Sequence, residues 1–175
     1  MFTKSVEAYF NGEKQASLFW MILGLVSIVA AVVFFLALKK PFWKGMSIVF
    51  IIIGLVQLMA GIWVHSGIDK RRIEVVYNMG MNPGTIKQKE IPEITTLMKN
   101  IVYYRYAEIF FVVMGLLTFL LFTYHEDRQF WAGIGLALAI QACIVLAADG
   151  MAEKRGHHYQ KVLQEYLTSL KSPAN

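Results

Sequence analysis

Four apolar runs dominate this chain: roughly Ser17 to Leu38, Gly45 to Ser66, Ala107 to Tyr124 and Phe130 to Met151. Each is long enough to cross about 30 Å of hydrocarbon as a helix rising about 1.5 Å per residue. A soluble domain of 175 residues, 57% of them apolar and 17% charged, would carry more apolar side chain than its core could hide. The bilayer is the solvent that suits such a chain. No small-x-small cleavage pattern follows the first run, which is also too long for a signal peptide, so it reads as a retained span.

The segments between the runs set the topology. "KKPFWKG" joins the first two runs and "HEDRQ" the last two, connections that only turn the chain back beside itself. The expected fold is therefore an all-α integral membrane protein, four transmembrane helices arranged as two helical hairpins. Its parts are an N-terminal segment (1–16), a first hairpin (17–66), a polar linker (67–106), a second hairpin (107–151) and a C-terminal amphipathic helix and tail (152–175). Thirteen of the seventeen Lys and Arg residues lie in the N-terminal segment, linker and tail, against four in the two short turns. The positive-inside rule then puts both termini and the linker in the cytoplasm, with the chain in a plasma or bacterial inner membrane.

The outer segments carry helical patterns of their own. Tyr159, Val162, Leu163, Tyr166, Leu167 and Leu170 recur at helical spacing, so the last span should continue as one helix, with Gly156 its weak point and Pro173 its stop. Ile94, Leu97, Met98 and Ile101 form a second amphipathic face, with Pro92 in its first turn. "MNPGT" marks a turn, and Val6, Tyr9 and Phe10 read as a short helix lying on the lipid surface.

"FWKGMSIVFIIIGLVQLMAGIWVHSGIDKRR" and "FWAGIGLALAIQACIVLAADGMAEKRG" share a beginning and an end, which reads as a parallel internal repeat. Aligned from the end, Gln57 meets Gln141, His65 meets Asp149, Asp69 meets Glu153 and Arg71 meets Arg155. Chance similarity of two apolar helices is the competing reading. Packing inside the bundle is expected at small residues: Ser27 and Ala31 in the first span, and Gly133, Gly135, Ala137 and Ala139 in the fourth, with a homodimer face as the alternative use. Cys143, in the fourth span, reads as a small buried hydrophobe, and a single cysteine excludes an intrachain disulfide.

Chemistry, if present, belongs to one polar cluster. Asp149, Glu153 and His157 stack at steps of four, His65 and Asp69 do the same on the second span, and Glu108 enters the third at the same depth. Carboxylates and imidazoles projecting inward from a bundle are how metal sites are built, so a bound metal ion is one reading. The cluster lacks the Glu-x-x-His step of carboxylate-bridged di-iron bundles. The structural reading costs less: these groups sit at the water boundary, Asp69 and Glu153 precede basic residues, and Glu108 has Arg105 three residues before it. On that reading no cofactor is needed. Gln57 and Gln141, polar midway through their spans, pair best as an interhelical hydrogen bond.

The sequence contains no nucleophile elbow and no phosphate-cradling loop, and the basic excess serves topology rather than nucleic-acid binding. The function expected is a non-enzymatic accessory or interaction subunit, part of a membrane complex or an immunity-type protein. Besides the bilayer, it would meet a protein partner or a second copy through cytoplasmic helices bearing Tyr103, Tyr104, Tyr106, Tyr159 and Tyr166. The alternatives are a small homo-oligomeric transporter or channel, and a metal-binding redox protein using the polar cluster.

Overall fold

The computed structural model describes residues 2–171, and Pro173 lies outside them. The chain is helical almost throughout, with four helices long and apolar enough to cross a membrane, the character of a multi-pass membrane protein. In chain order, α1 is Phe2–Ala37, α2 is Pro41–Met81, α3 is a single turn, Pro83–Thr85, α4 is Ile91–Phe122 and α5 is Gln129–Lys171. At about 1.5 Å per residue α2 is roughly 60 Å long, about twice the thickness of the hydrocarbon. Each long helix therefore has an apolar stretch and a polar extension.

The extensions gather at one end into the main core: Val6 and Phe10 of α1, Val75 and Met79 of α2, Ile86, Ile94 and Met98 before and within α4, and Tyr159 and Leu163 of α5. This corrects two expectations. Val6 and Phe10 are 0% and 2% exposed, so the N-terminal residues belong to a protein core and not to the lipid surface; no breaker separates them from the span, and α1 runs on unbroken. Gly156 does not weaken α5 either. It makes room for α4, because a Cβ there would strike the Met98 side chain.

Between α2 and α4 the expected turn shrinks to one non-helical residue, Asn82, at φ −145° and ψ 75°. The chain then winds through α3 and a π-helical turn, Ile86–Glu90, that closes with Ile91 N–H donating to the Ile86 carbonyl. Proline at 92 has no N–H to offer and crowds the preceding turn. A π turn just before it widens the helix there, so the chain enters α4 without a kink or a loop.

The apolar stretches pack through small residues. A Cβ on Gly24 would lie 2.6 Å from the Gly54 carbonyl oxygen, and one on Gly115 would lie 2.7 Å from that of Gly135, so backbones touch at α1–α2 and at α4–α5. Gly45 abuts the Phe130 carbonyl and Gly133 the Phe42 carbonyl, which brings α2 against α5. Ser27, Ala31, Ala137 and Ala139 are all buried within the chain and so are not available to a homodimer face. Cys143 is exposed, contrary to its reading as a buried hydrophobe: Gln141 and Ala142 take the inward face of α5, and the next residue points outward.

Candidate functional site

Where the apolar stretches give way to the polar end, a circuit of ion pairs ties the helices together. Lys14 on α1 meets Asp69 on α2 at 2.6 Å, Arg155 on α5 meets Glu13 on α1 at 3.1 Å, and Arg105 on α4 meets Glu153 on α5. Arg71 on α2 closes the circuit onto the start of α4, reaching Glu90 at 3.1 Å and Glu93 at 2.8 Å. Most of these side chains are partly exposed, so water screens each pair and none adds much stability by itself. Their work is to set which helix faces which.

The hydrogen bond from Lys14 holds the Asp69 carboxyl below the usual carboxylate range, and the bond from Arg105 does the same for Glu153. Groups lowered in this way stabilise the fold above their unfolded value of about 4, and the contribution is lost as pH falls through the lower folded value. Acidification below about pH 4 is therefore expected to speed amide exchange in the segments around Lys14, Asp69, Arg105 and Glu153. Hydrogen-exchange mass spectrometry of detergent-solubilised protein reads this directly, and unchanged exchange would remove these pairs as clamps.

The six residues of the polar cluster do not converge on one point. His65 Nδ1–H donates to the Ser17 hydroxyl at 3.0 Å, Ser17 in turn donating to the Lys14 carbonyl at 2.7 Å. Asp69 is held by Lys14, and Glu153 by Arg105, while His157 stands 3.8 Å from Glu153. Glu108 and Asp149 stand at matching heights one turn deeper on α4 and α5, and Glu108 is buried. Among the described residues no group of three or more His, Cys, Asp or Glu is placed to hold a metal ion. The pairings run between helices, not along them: Arg105 passes over Glu108 on its own helix to reach Glu153 on the next.

Midway along the apolar stretches, Gln57 donates to the Gln141 carbonyl at 2.9 Å, and Gln141 donates to the Ser27 hydroxyl at 3.0 Å. The chain of amides ties α2 to α5 and α5 to α1 at a buried level, leaving Gln57 Oε1 without a partner. Gln57 also lines a cleft of about 630 Å³ between the same three helices, walled by Ala16, Phe19, Ala60, Ala148 and Met151. Replacing Gln141 by Leu orphans groups on two neighbours and should cost about 1–2 kcal/mol. Gln57→Leu should cost less, because Gln141 keeps Ser27. Thermal unfolding in detergent ranks the two, and equal loss would break the proposed order.

The five tyrosines divide. Tyr103, Tyr104 and Tyr106 are well exposed, at the height where α4 enters its apolar stretch. Tyr159 and Tyr166 are not surface anchors. Tyr159 is 1% exposed, stacks on Tyr9 at 4.0 Å and donates to Glu90 Oε1 at 2.8 Å, while Tyr166 donates to the Met79 carbonyl. Burial pushes the Tyr9 and Tyr159 phenols up, so both stay neutral. Sequence reasoning passed over Arg71 and Glu90, the charged centre of this core. Nothing local marks Glu90 in "KQKEIP"; only the π turn that ends on it turns the carboxyl inward.

One further surface was not foreseen. Ile73, Tyr77 and Met81 recur at steps of four on the polar extension of α2 and are 63%, 63% and 70% exposed. Beside them, Glu7, Asn11, Arg72 and Val76 line a groove between α1 and α2. No protein-family model matches the chain, and comparison with curated proteins and with solved structures finds no match.

Proposed function

We propose that the chain is a non-enzymatic four-span protein of a plasma or inner membrane, with both termini cytoplasmic, that acts as an interaction subunit: an accessory component of a membrane complex or an immunity-type protein. The observation that carries this reading is the Ile73, Tyr77 and Met81 stripe. The stripe projects from a helix that has already left its apolar stretch, so lipid does not cover it along its length. Large apolar side chains in a row on a water-facing surface mark a protein contact. The stripe replaces Tyr159 and Tyr166 as the partner surface, and Tyr103, Tyr104 and Tyr106 fit the headgroup belt, where amphipathic rings settle.

Two hairpins related by a parallel repeat fit this reading. Gly45 meets Phe130 as Gly133 meets Phe42. Lys14 meets Asp69 as Arg105 meets Glu153. Equivalent contacts in both halves are what a duplicated hairpin would leave behind, and the ion-pair circuit would then hold the cytoplasmic extensions in a fixed presentation.

The test is a photoreactive phenylalanine analogue in place of Tyr77, irradiated in native membranes, with the same analogue at the exposed Lys161 as control. A discrete adduct at position 77, absent at 161 and lost when Ile73 and Met81 are changed to Glu, is the expected result. An adduct of twice the chain's mass would make the partner a second copy. No adduct, or the same adducts at both positions, would end the proposal.

A further inference from the structure

A pair of carboxyl groups stands apart from the ion-pair circuit. Glu108 on α4 and Asp149 on α5 are bracketed by contacts that fix how these two helices face each other: Met98 against Gly156 and Arg105 against Glu153 on one side, Gly115 against Gly135 and Ala139 on the other. Glu108 is one turn beyond Arg105, and Asp149 one turn before Glu153. Helix periodicity then turns the two carboxyls toward each other. Glu108 is 8% exposed, Asp149 half-buried, and Glu108 Oε2 has no hydrogen-bond partner.

The charges around the pair do not neutralise it. Among the described residues, Arg105 is the cation near both carboxyls, and it is bound to Glu153, which His157 approaches from the next turn of α5. On α1 and α2 the groups at this height satisfy one another, Lys14 with Asp69 and His65 with Ser17. The Ser17–His65 pair holds the corresponding place in the first half of the chain, where a hydroxyl and an imidazole meet without two like charges.

Ionised carboxylates only accept hydrogen bonds, so two of them side by side have nothing to share, and like charges this close in a poorly solvated site do not both persist. We infer that Glu108 and Asp149 form a one-proton site, in which Glu108 is a neutral carboxylic acid donating to the Asp149 carboxylate. The unpartnered oxygen assigns the proton to Glu108. As the carbonyl of a neutral acid it loses one weak bond, whereas on a carboxylate it would be an unsolvated charge. The proton exchanges with water at the polar end. Its loss leaves two facing charges that draw on Arg105, which already holds Glu153, so occupancy of the site is linked to the clamp between α4 and α5.

Infrared spectroscopy of the purified protein in lipid discs tests this, since an un-ionised carboxylic acid has a carbonyl band separate from those of carboxylates and amides. At pH 7 the expected spectrum contains that band, shifted by carboxyl-¹³C labelling of Glu and unmoved by the same labelling of Asp. Glu108→Gln, close in shape, should remove it. The labelling assigns the band even if that variant fails to fold. No band at pH 7 in protein with an intact helical circular-dichroism spectrum would overturn the site, as would a band that survives Glu108→Gln. A band that vanishes when choline is replaced by sodium at constant pH would make this a metal-cation site and overturn the proton assignment.

Discussion

Tyr159→Ala is expected to unfold the polar end of the bundle while the apolar stretches stay helical. Tyr159 is among the largest fully buried side chains, and three independent contacts meet on it: the Tyr9 ring stacked at 4.0 Å, the Phe10 ring edge-on at 5.8 Å and the Glu90 carboxylate at 2.8 Å. Truncating a buried aromatic costs about 3–5 kcal/mol through lost burial and the cavity left behind. A second penalty follows, because Glu90 is 5% exposed and would keep only Arg71. Tyr159→Phe separates the two contributions: it keeps the ring and loses the hydrogen bond to a charged acceptor, about 2 kcal/mol. Limited proteolysis and hydrogen exchange across residues 67–106 should show the Ala variant open, the Phe variant closed but weakened. A Tyr159→Ala protein with wild-type protection would mean that this core does not hold the extensions together.

The second large effect is expected at Gly133. A Cβ there would run into the Phe42 carbonyl oxygen, and the reciprocal glycine, Gly45, sits equally close to the Phe130 carbonyl. Backbone cannot swing aside as a side chain can, so Gly133→Leu must part α2 from α5. In lipid no hydrophobic force draws helices back together, and close van der Waals approach is most of what holds them. The separation would also stretch the Gln57–Gln141 bond between the same helices. Gly133→Leu should leave no monodisperse folded species by size-exclusion chromatography in mild detergent. Gly80→Ala is the matched control. Nothing lies within 4 Å of a Cβ at Gly80, and removing a helical glycine there should stabilise by about 0.5–1 kcal/mol. If Gly133→Leu and Gly80→Ala behave alike, close backbone contact is not what assembles this bundle.

Much of the architecture was legible because a bilayer imposes simple rules. Four long apolar runs and two short turns could be read directly, since a span must be of a certain length and must satisfy its own backbone. Gln57 and Gln141 stood out for the same reason: a polar side chain amid twenty apolar ones has few partners. The polar end was harder. Tyr159 and Val6 follow amphipathic spacing, but spacing alone does not say whether an apolar face meets lipid, a partner or another part of the chain. The ion pairs were legible as a set of charges and not as pairs, because Arg105 has acceptable partners three residues along its own helix and across on the next.

The amino-acid sequence by itself determined four helices long and apolar enough to cross a membrane, the segments its basic residues occupy, and two of the glycines, Gly133 and Gly135, at which backbones touch. These properties follow from composition and period, which act locally and need no knowledge of neighbours. Only the tertiary structure decided that the extensions bury a core of their own, that the polar-cluster residues do not converge on one point, and that Glu108 is buried at the height of Asp149. Those outcomes depend on which faces of α1, α2, α4 and α5 meet, and at what height. That choice is made by interlocking backbone contacts at Gly24, Gly45, Gly115 and Gly133, two or more helical turns along the same helices from the groups they bring together.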